Sequence, residues 1–452
     1  MNISPARLVA FQVFSRVQKG GCNAAELLHS ELTLTLGEQD LALSNELVYG
    51  VLRHQLLLDW VLSTHCTTGL LKLDSAVLLA LRLGAYQLLF LDRVPARAAV
   101  HQSVELVKRA KLKSAAGLVN AVLRQTNRID LSQVTVALGE ESDQAAAVLY
   151  SHPQWLVARW RRKLSREKLI PLLMSNNQPP KTYFRMNTNQ PEDVVLENLE
   201  TAGIKVEPHP LVDGCWRVLK GNLLKTRAFR SGAIYLQDPA SQLIPRLLQV
   251  KPAHRCLDLC TAPGGKLTEI ARQTQGKISA VGVDSRWERL QVTVQLHRKQ
   301  WPHLSFVAAD GIMTLPFSVL FDRVLVDAPC SGTGTLQRNP DIRWRLSPAD
   351  LDVFPVTQLA LLKNGAKCLT PGGILVYSTC SLEEEENQSV VSRFLQEFPE
   401  YRLEIPADPR LGRFFSRDGY FQLLPSENNS DGFFAAVIRR QGQADQGERR
   451  LL

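Results

Sequence analysis

Two short stretches carry side chains able to do covalent chemistry. Phe321 to Gly334 reads FDRVLVDAPCSGTG: an apolar, β-branched run, Val324 to Val326, delivers Asp327, Pro329 and Cys330, and the small residues Ser331, Gly332 and Gly334 follow where the backbone must turn. Fifty residues beyond Cys330, Ser378 to Ser381 reads STCS and offers Cys380. A deprotonated thiol is a nucleophile, and a carboxyl group beside it can donate or hold a proton. In open α/β sheets ligands sit at the carboxyl ends of strands, so a thiol and an acid at such ends point to a cleft. The alternative is a pair of inert core cysteines, a common fate of the free thiol.

Other strand ends repeat the pattern. Arg255 to Lys266 reads RCLDLCTAPGGK, a short strand with Asp258 near its end, then Cys260, Thr261, Ala262, Pro263, Gly264, Gly265 and Lys266 in a turn before a helix. The two glycines let the backbone approach a bound molecule, and the helix start offers free amides. A second strand, Ile278 to Val283, ends at Asp284, and a third, Leu304 to Ala309, ends at Asp310; each acid follows the previous one by 26 residues. An acid at Asp284 suits two ribose hydroxyls. The fourth strand ends at Asp327 and the fifth, Gly373 to Ser378, at Thr379 and Cys380. Any one of these aspartates could simply cap a turn; all of them in register describe one parallel sheet with a working edge. No GxGxxG follows the first strand and no P-loop occurs, which argues against a pyrophosphate ligand. An adenosine-bearing ligand without phosphates fits, with S-adenosylmethionine foremost.

The elements that must hold this edge occupy the second half of the chain. Its 452 residues allow two or three domains, and 45% hydrophobic with 21% charged residues is ordinary globular composition. Eight cysteines show no CxxC and no zinc-ligand spacing, so neither disulfides nor a metal site is expected. The N-terminus lacks a signal-peptide pattern, and the most apolar stretch, Leu73 to Leu91, is broken by Asp74, Ser75, Arg82 and Gln87. That stretch reads as a buried helix, and the protein as cytoplasmic with no membrane contact. The net charge of +9 is local: residues 146–235 hold 14 Lys and Arg against 7 Asp and Glu, whereas 1–145 hold 14 against 13 and 236–452 hold 25 against 24. A basic middle suggests a polyanion partner, or else a solvated surface.

Residues 1–145 read as all-helical, with breaks at Gly20-Gly21, Gly37 and Pro95 and with Ser114 as an N-cap for the helix carrying Leu118, Val122 and Leu123. Val94 to Gln125, with its proline-led helix start and Gly117 to Arg124, resembles the NusB family of RNA-binding transcription factors, which implies RNA or a protein as partner. In residues 146–235, Ser151 to Lys168 sets Trp155 and Trp160 among arginines and lysines, an arrangement for phosphates and exposed bases or else an amphipathic helix with core tryptophans. Residues 181–235 read as a small α+β unit with strands at TYFRMN and WRVL. The tail, Gln441 to Leu452, is expected to fray.

DAPCSGTG followed by STCS resembles the RNA cytosine-5 methyltransferases, and the likeness extends through LQDPASQ, DLCTAPGGK, Arg338 to Asp341 and Asp431 to Phe434. Thr261 departs from it, standing where alanine is common. The resemblance implies a Rossmann-like, S-adenosylmethionine-dependent domain over 236–452, preceded by an all-α NusB-like domain over 1–145 and a basic α+β linker over 146–235. The combination of helical and catalytic parts is that of bacterial members acting on 16S ribosomal RNA, so this RNA is the expected partner. Carbon 5 of cytosine is a poor nucleophile until a thiolate adds to carbon 6. Cys380 would be that thiolate, Asp327 would hold ring nitrogen 3 and the amine, and Cys330 would assist when the proton and the thiol leave. The loop Cys260 to Lys266 with Asp284, Asp310 and Asp327 would bind the cofactor. Two points favour a reactive or a quiet Cys380: Ser381 and Glu384 read as a capping box that aims amide dipoles at the sulfur, while Glu383 to Glu386 oppose it. In a rival assignment Cys330 is the nucleophile, as the proline-cysteine pair is in DNA cytosine-5 methyltransferases. Arg338, Arg343, Trp344 and Arg345 either line an RNA path or pack. The same chemistry on tRNA, or a non-catalytic RNA-binding assembly or antitermination factor, are the other readings.

Overall fold

A computed structural model describes residues 3–17, 22–127, 129–132, 134, 142–188 and 190–442. The expected break at Gly20-Gly21 and the tail beyond Gly442 lie outside the described residues. The chain forms two units, one of residues 1–178 with 336–345, the other of 179–335 with 346–452.

The first unit is helical. Pro5–Val17, Glu38–Ser63, Ser75–Phe90, Ala96–Arg109 and Ala116–Thr126 pack around a core that includes Val13, Leu47, Leu58, Leu81, Val107 and Val122. Apolar residues three or four apart, such as Leu47, Val51 and Leu58, Leu62, turn one helix face inward. The Leu73 to Leu91 stretch forms a buried helix, started by the Asp74 carboxylate, which accepts from Ala76 N (2.8 Å). Among the described residues no helix is long and apolar enough to cross a membrane. Ser114 does not cap its helix: it lies within a 3-10 turn, Lys113–Ala115, closed by Ala115 N to Leu112 O (3.0 Å), so the helix begins without a side-chain cap.

At His54 (φ −118°, ψ 16°) the long helix is interrupted, and the Ser151 hydroxyl accepts from the freed Leu56 amide (2.7 Å). Ser151 itself has φ 54°, and its carbonyl accepts from Arg343 (3.0 Å). Arg343, fully buried, also donates to Asn177 Oδ1 (2.8 Å) and Asn176 O (3.1 Å); burial, with Arg53 nearby, lowers its pKa to about 9. Trp344 Nε1 donates to Leu52 O (2.8 Å). Of the two alternatives read from the sequence, Arg343 and Trp344 thus take packing within the helical unit. Trp160 is a core residue, 2% exposed with its ring 5.9 Å from His152, whereas Trp155 is half-buried; the stretch comprises the helix Gln154–Arg161 and the start of the helix Arg166–Asn176.

The second unit holds two sheets. The smaller is antiparallel, in the order β2 (Lys205–Pro208), β3 (Cys215–Lys220), β1 (Tyr183–Met186), β4 (Ile234–Leu236), and the helix Glu192–Thr201 adds Val195 and Leu199 to its core. The larger contains β5 (Arg255–Leu259), β6 (Ser279–Asp284), β7 (Ser305–Ala308), β8 (Phe321–Asp327) and β9 (Leu369–Thr379), all mutually parallel in the order β7-β6-β5-β8-β9. The five strand ends read from the sequence therefore lie along one edge. Antiparallel strands β10 (Tyr401–Leu403), β11 (Phe421–Leu423) and β12 (Phe433–Arg440) extend it beyond β9, so the sheet is mixed. The helix Gly265–Gln273 covers one face with Leu267 and Ile270, and the helices Asp350–Lys367 and Gln388–Glu397 cover the other with Leu362 and Phe394. Covering both faces explains why β8 and β9 are almost continuously apolar. The order reverses direction between β5 and β8, and there the carboxyl ends of the strands open a crevice.

Candidate active site

Strands β8 and β9 pair side by side with Asp327 opposite Ser378. Their ends bring Cys330 Sγ to 3.3 Å from Cys380 Sγ. Asp327 accepts from Lys266 Nζ at one oxygen (2.5 Å) and from Ser378 Oγ at the other (2.8 Å). Burial alone would drive the Lys266 ammonium to lose its proton, but Asp327 outweighs it and raises the lysine pKa. The hydrogen bond to Cys380, and then burial, push the Cys330 thiol well above its ordinary range.

Backbone contacts lock the two cysteine loops together. Gly334 N donates to Cys380 O (2.9 Å) and Gly432 N to Gly334 O (2.8 Å), which accounts for the terminal Asp431-Gly432 motif. A Cβ on Gly334 would lie 2.2 Å from Gly432 O and 2.8 Å from Cys380 O, both backbone atoms with little room to yield. Gly334→Ala is therefore expected to destabilise the unit by about 1–3 kcal/mol, read as a lowered denaturant midpoint with unchanged slope. The capping box expected at Ser381 and Glu384 does not form. Ser381 Oγ accepts from Glu383 N (3.0 Å) and donates to Glu386 (2.6 Å), residues Glu384–Glu386 make one 3-10 turn, and the helix starts only at Gln388. Because the Ser381 hydroxyl is held by Glu386, the sulfur has no capped helix start behind it.

Beside the thiols lies a cavity of about 190 Å³ lined by Tyr235, Gln237, Ser241, Asp258, Cys260 to Pro263, Gly265, Lys266 and Asp327, among others. Asp258 forms part of its wall: it is 1% exposed, accepts from Thr261 Oγ1 at Oδ2 (2.7 Å), and among the described residues Oδ1 has no hydrogen-bond partner. Burial raises its pKa to about 7. The loop turns through left-handed Cys260 (φ 66°) and Gly264 (φ 89°). A Cβ on Gly264 would press on Thr293 and His297, and one on Gly265 on Tyr235, so these glycines serve close packing of the loop against its own neighbours. Asp284 accepts from Ala262 N (3.2 Å) and Arg286 N (3.0 Å) and so holds the loop, while exposed Asp310 accepts from Ile312 N (3.1 Å). Neither is among the residues lining this cavity.

Sequence reasoning missed Arg185. It is fully buried on β1 and donates to Gln237 Oε1 (2.7 Å), Gly265 O (2.8 Å) and Thr268 Oγ1 (2.8 Å), with its guanidinium 5.1 Å from the Tyr235 ring centre. Burial, opposed by Glu269 at 3.3 Å, lowers its pKa to about 10. It steadies two walls of the cavity. The only signal was a charged residue inside an otherwise apolar strand.

Three family models match the chain. The family described as 16S rRNA methyltransferase RsmB/F matches residues 245–439, the NusB family matches 4–128, and a ferredoxin-like domain described as Methyltr_RsmF/B-like matches 152–222. A probable ribosomal RNA small subunit methyltransferase B of Bacillus subtilis is 32% identical over 98% of this chain and 100% of its own. The ribosomal RNA small subunit methyltransferase B of Erwinia tasmaniensis is 33% identical over 96% of this chain and 98% of its own. Among solved structures, a methyltransferase homolog protein from Pyrococcus horikoshii, 27% identical, covers 67% of this chain and 100% of its own with a TM-score of 0.58.

Proposed function

We infer, from the premise that this chain belongs to the 16S rRNA methyltransferase RsmB/F family, that it methylates carbon 5 of a cytosine in 16S ribosomal RNA through a covalent cysteine adduct. The observation that carries the reading is the pair of thiols 3.3 Å apart at the ends of β8 and β9, beside a carboxylate held by Lys266. The RNA-binding role falls to the segments 1–145 and 146–235, and the chemistry to 236–452.

The cavity fits S-adenosylmethionine. Its charges are Asp258, Asp327 and a lysine already paired with Asp327, so it suits a cationic ligand without phosphates. The unpaired, buried Asp258 oxygen would take the ligand's ammonium, and Gln237, Ser241 and the loop Cys260 to Lys266 would enclose the rest. Bound there, the cofactor supplies an electrophilic methyl group. Cys380 adds as thiolate to carbon 6 of the base, and the ring electron pair moves to carbon 5, which takes the methyl group. Asp327 accepts from the exocyclic amine and passes a proton to nitrogen 3, which neutralises the charge that the addition creates. Solvent water then takes the carbon 5 proton, the electron pair it leaves reforms the ring double bond, the carbon–sulfur bond breaks, and Cys380 leaves as thiolate, with the Cys330 thiol donating a hydrogen bond to the departing sulfur. A base stacked in a helix cannot meet a thiol at a strand end, so the target is looped or flipped out.

Release of tritium from 16S RNA carrying cytosine labelled at carbon 5, together with 5-methylcytidine among the digested nucleosides, is the expected result. Methylation with no tritium release would place the methyl group elsewhere. The Asp258 assignment gives a second expectation. Its raised pKa means that the folded, ligand-free protein keeps this proton up to about pH 7, and an ammonium needs the ionised form. Cofactor affinity should therefore rise with pH through that window and level off above it, and Asp258→Asn should weaken binding and flatten the profile. Calorimetric titration at several pH values checks both, and an unchanged slope in the variant would contradict the assignment.

A further inference from the structure

Glu386 is fully buried, and its carboxylate accepts four hydrogen bonds: from the Ser331 amide (2.8 Å), the Ser331 hydroxyl, the Ser381 hydroxyl (2.6 Å) and the Gln358 side-chain amide (2.9 Å). Ser331 directly follows Cys330, and Ser381 directly follows Cys380. The two serine hydroxyls lie 3.0 Å apart. Gln358 donates to Pro329 O as well (3.0 Å), so the residue before Cys330 is tied to the same group. From below, the Tyr377 hydroxyl on β9 fixes the Glu386 carbonyl (2.6 Å). A carboxylate removed from water is strongly unfavourable unless donors fill its lone pairs. Here they are filled only when both cysteine loops are in place together.

We propose that Glu386 is a positioning residue that sets the separation of the Cys330 and Cys380 sulfurs. It touches neither thiol; it holds the backbone one residue beyond each. The proposal rests on the proposed function for the use made of the two thiols, but the spacing is a property of the folded chain and is read without RNA. In Glu386→Gln the NH₂ either faces the Ser331 amide and the Gln358 NH₂, donor against donor, or takes the place of the oxygen shared by the two serine hydroxyls, which lose the charged acceptor that draws them together. Ser331→Ala removes one bond and leaves the carboxylate.

The test is bridging of the two thiols by dibromobimane, which fluoresces once it has alkylated a neighbouring pair, with Cys380→Ala as background. Wild-type protein should bridge, and Glu386→Gln should lose most of the bridged yield while still binding S-adenosylmethionine. Its kcat for methyl transfer should fall about 100-fold, the scale of a misplacement of an ångström, with the cofactor KM unchanged. Ser331→Ala should show a smaller loss of the same kind. Bridging at the wild-type yield in Glu386→Gln overturns the proposal; should that variant fail to bind cofactor, wild-type bridging in Ser331→Ala overturns it equally. Loss of bridging in a protein whose wild type releases no tritium from cytosine upholds the positioning role and removes only the reading of the reaction.

Discussion

Cys380→Ala should lower kcat for methylation of 16S RNA by at least about 10⁴-fold, the scale of losing a covalent nucleophile. Carbon 5 of an intact cytosine ring does not attack a methyl group; the addition at carbon 6 makes it able to. Cys330, 3.3 Å away, is a poor substitute for the lost sulfur: the hydrogen bond to Cys380 that raises its pKa most goes with the substitution, but burial remains and still disfavours its thiolate. The cavity that would take the cofactor is lined by Asp258, Lys266 and Asp327 rather than by Cys380, so cofactor binding should survive the substitution. Single-turnover methyl transfer with binding measured in parallel separates the two. Full activity in Cys380→Ala, with loss in Cys330→Ala, would reverse the roles of the thiols.

Asp327→Asn should cost about 10³-fold in kcat, within the usual range for a positioned acid-base group. The loss has two sources. The amide cannot pass a proton to ring nitrogen 3 as the adduct forms. Lys266, meanwhile, owes its raised pKa to this carboxylate, and without it burial favours the neutral amine. Wild-type activity should then show a dependence on the charge of this pair that Asp327→Asn lacks, measurable as a changed pH profile at saturating cofactor. Retention of wild-type kcat would remove Asp327 from the chemistry and leave it a structural partner of Lys266.

What the sequence made legible was the sheet edge, since β-branched runs that stop at an acid or a thiol are local signals and parallel strands covered on both faces enforce them. Cys330 and Cys380 were found for that reason. What it hid depends on contacts between distant residues. Asp258 and Asp284 look alike in sequence, yet one is left with an unpaired oxygen in the cavity and the other holds a loop amide. Arg185 reads as a stray charge until the sheet places it behind Gln237 and Gly265. The run Glu383 to Glu386 looks like a solvated acidic patch, but Glu383 and Glu386 are 1% and 0% exposed. Arg343 and Trp344, close after the Cys330 motif, fold into the helical unit because Ser151, Asn177 and Leu52 offer them acceptors there. The capping box failed in the same way: Glu386, five residues away, claimed the serine hydroxyl.

Covalent trapping tests the central claim most directly. Wild type, Cys380→Ala and Cys330→Ala are each incubated with S-adenosylmethionine and 16S RNA carrying 5-azacytosine, whose ring lacks the proton that must leave before the thiol is expelled. A denaturant-stable protein–RNA adduct in wild type and Cys330→Ala, absent in Cys380→Ala, is the predicted result. An adduct lost only in Cys330→Ala, or none in a wild-type protein that binds the cofactor, would contradict it.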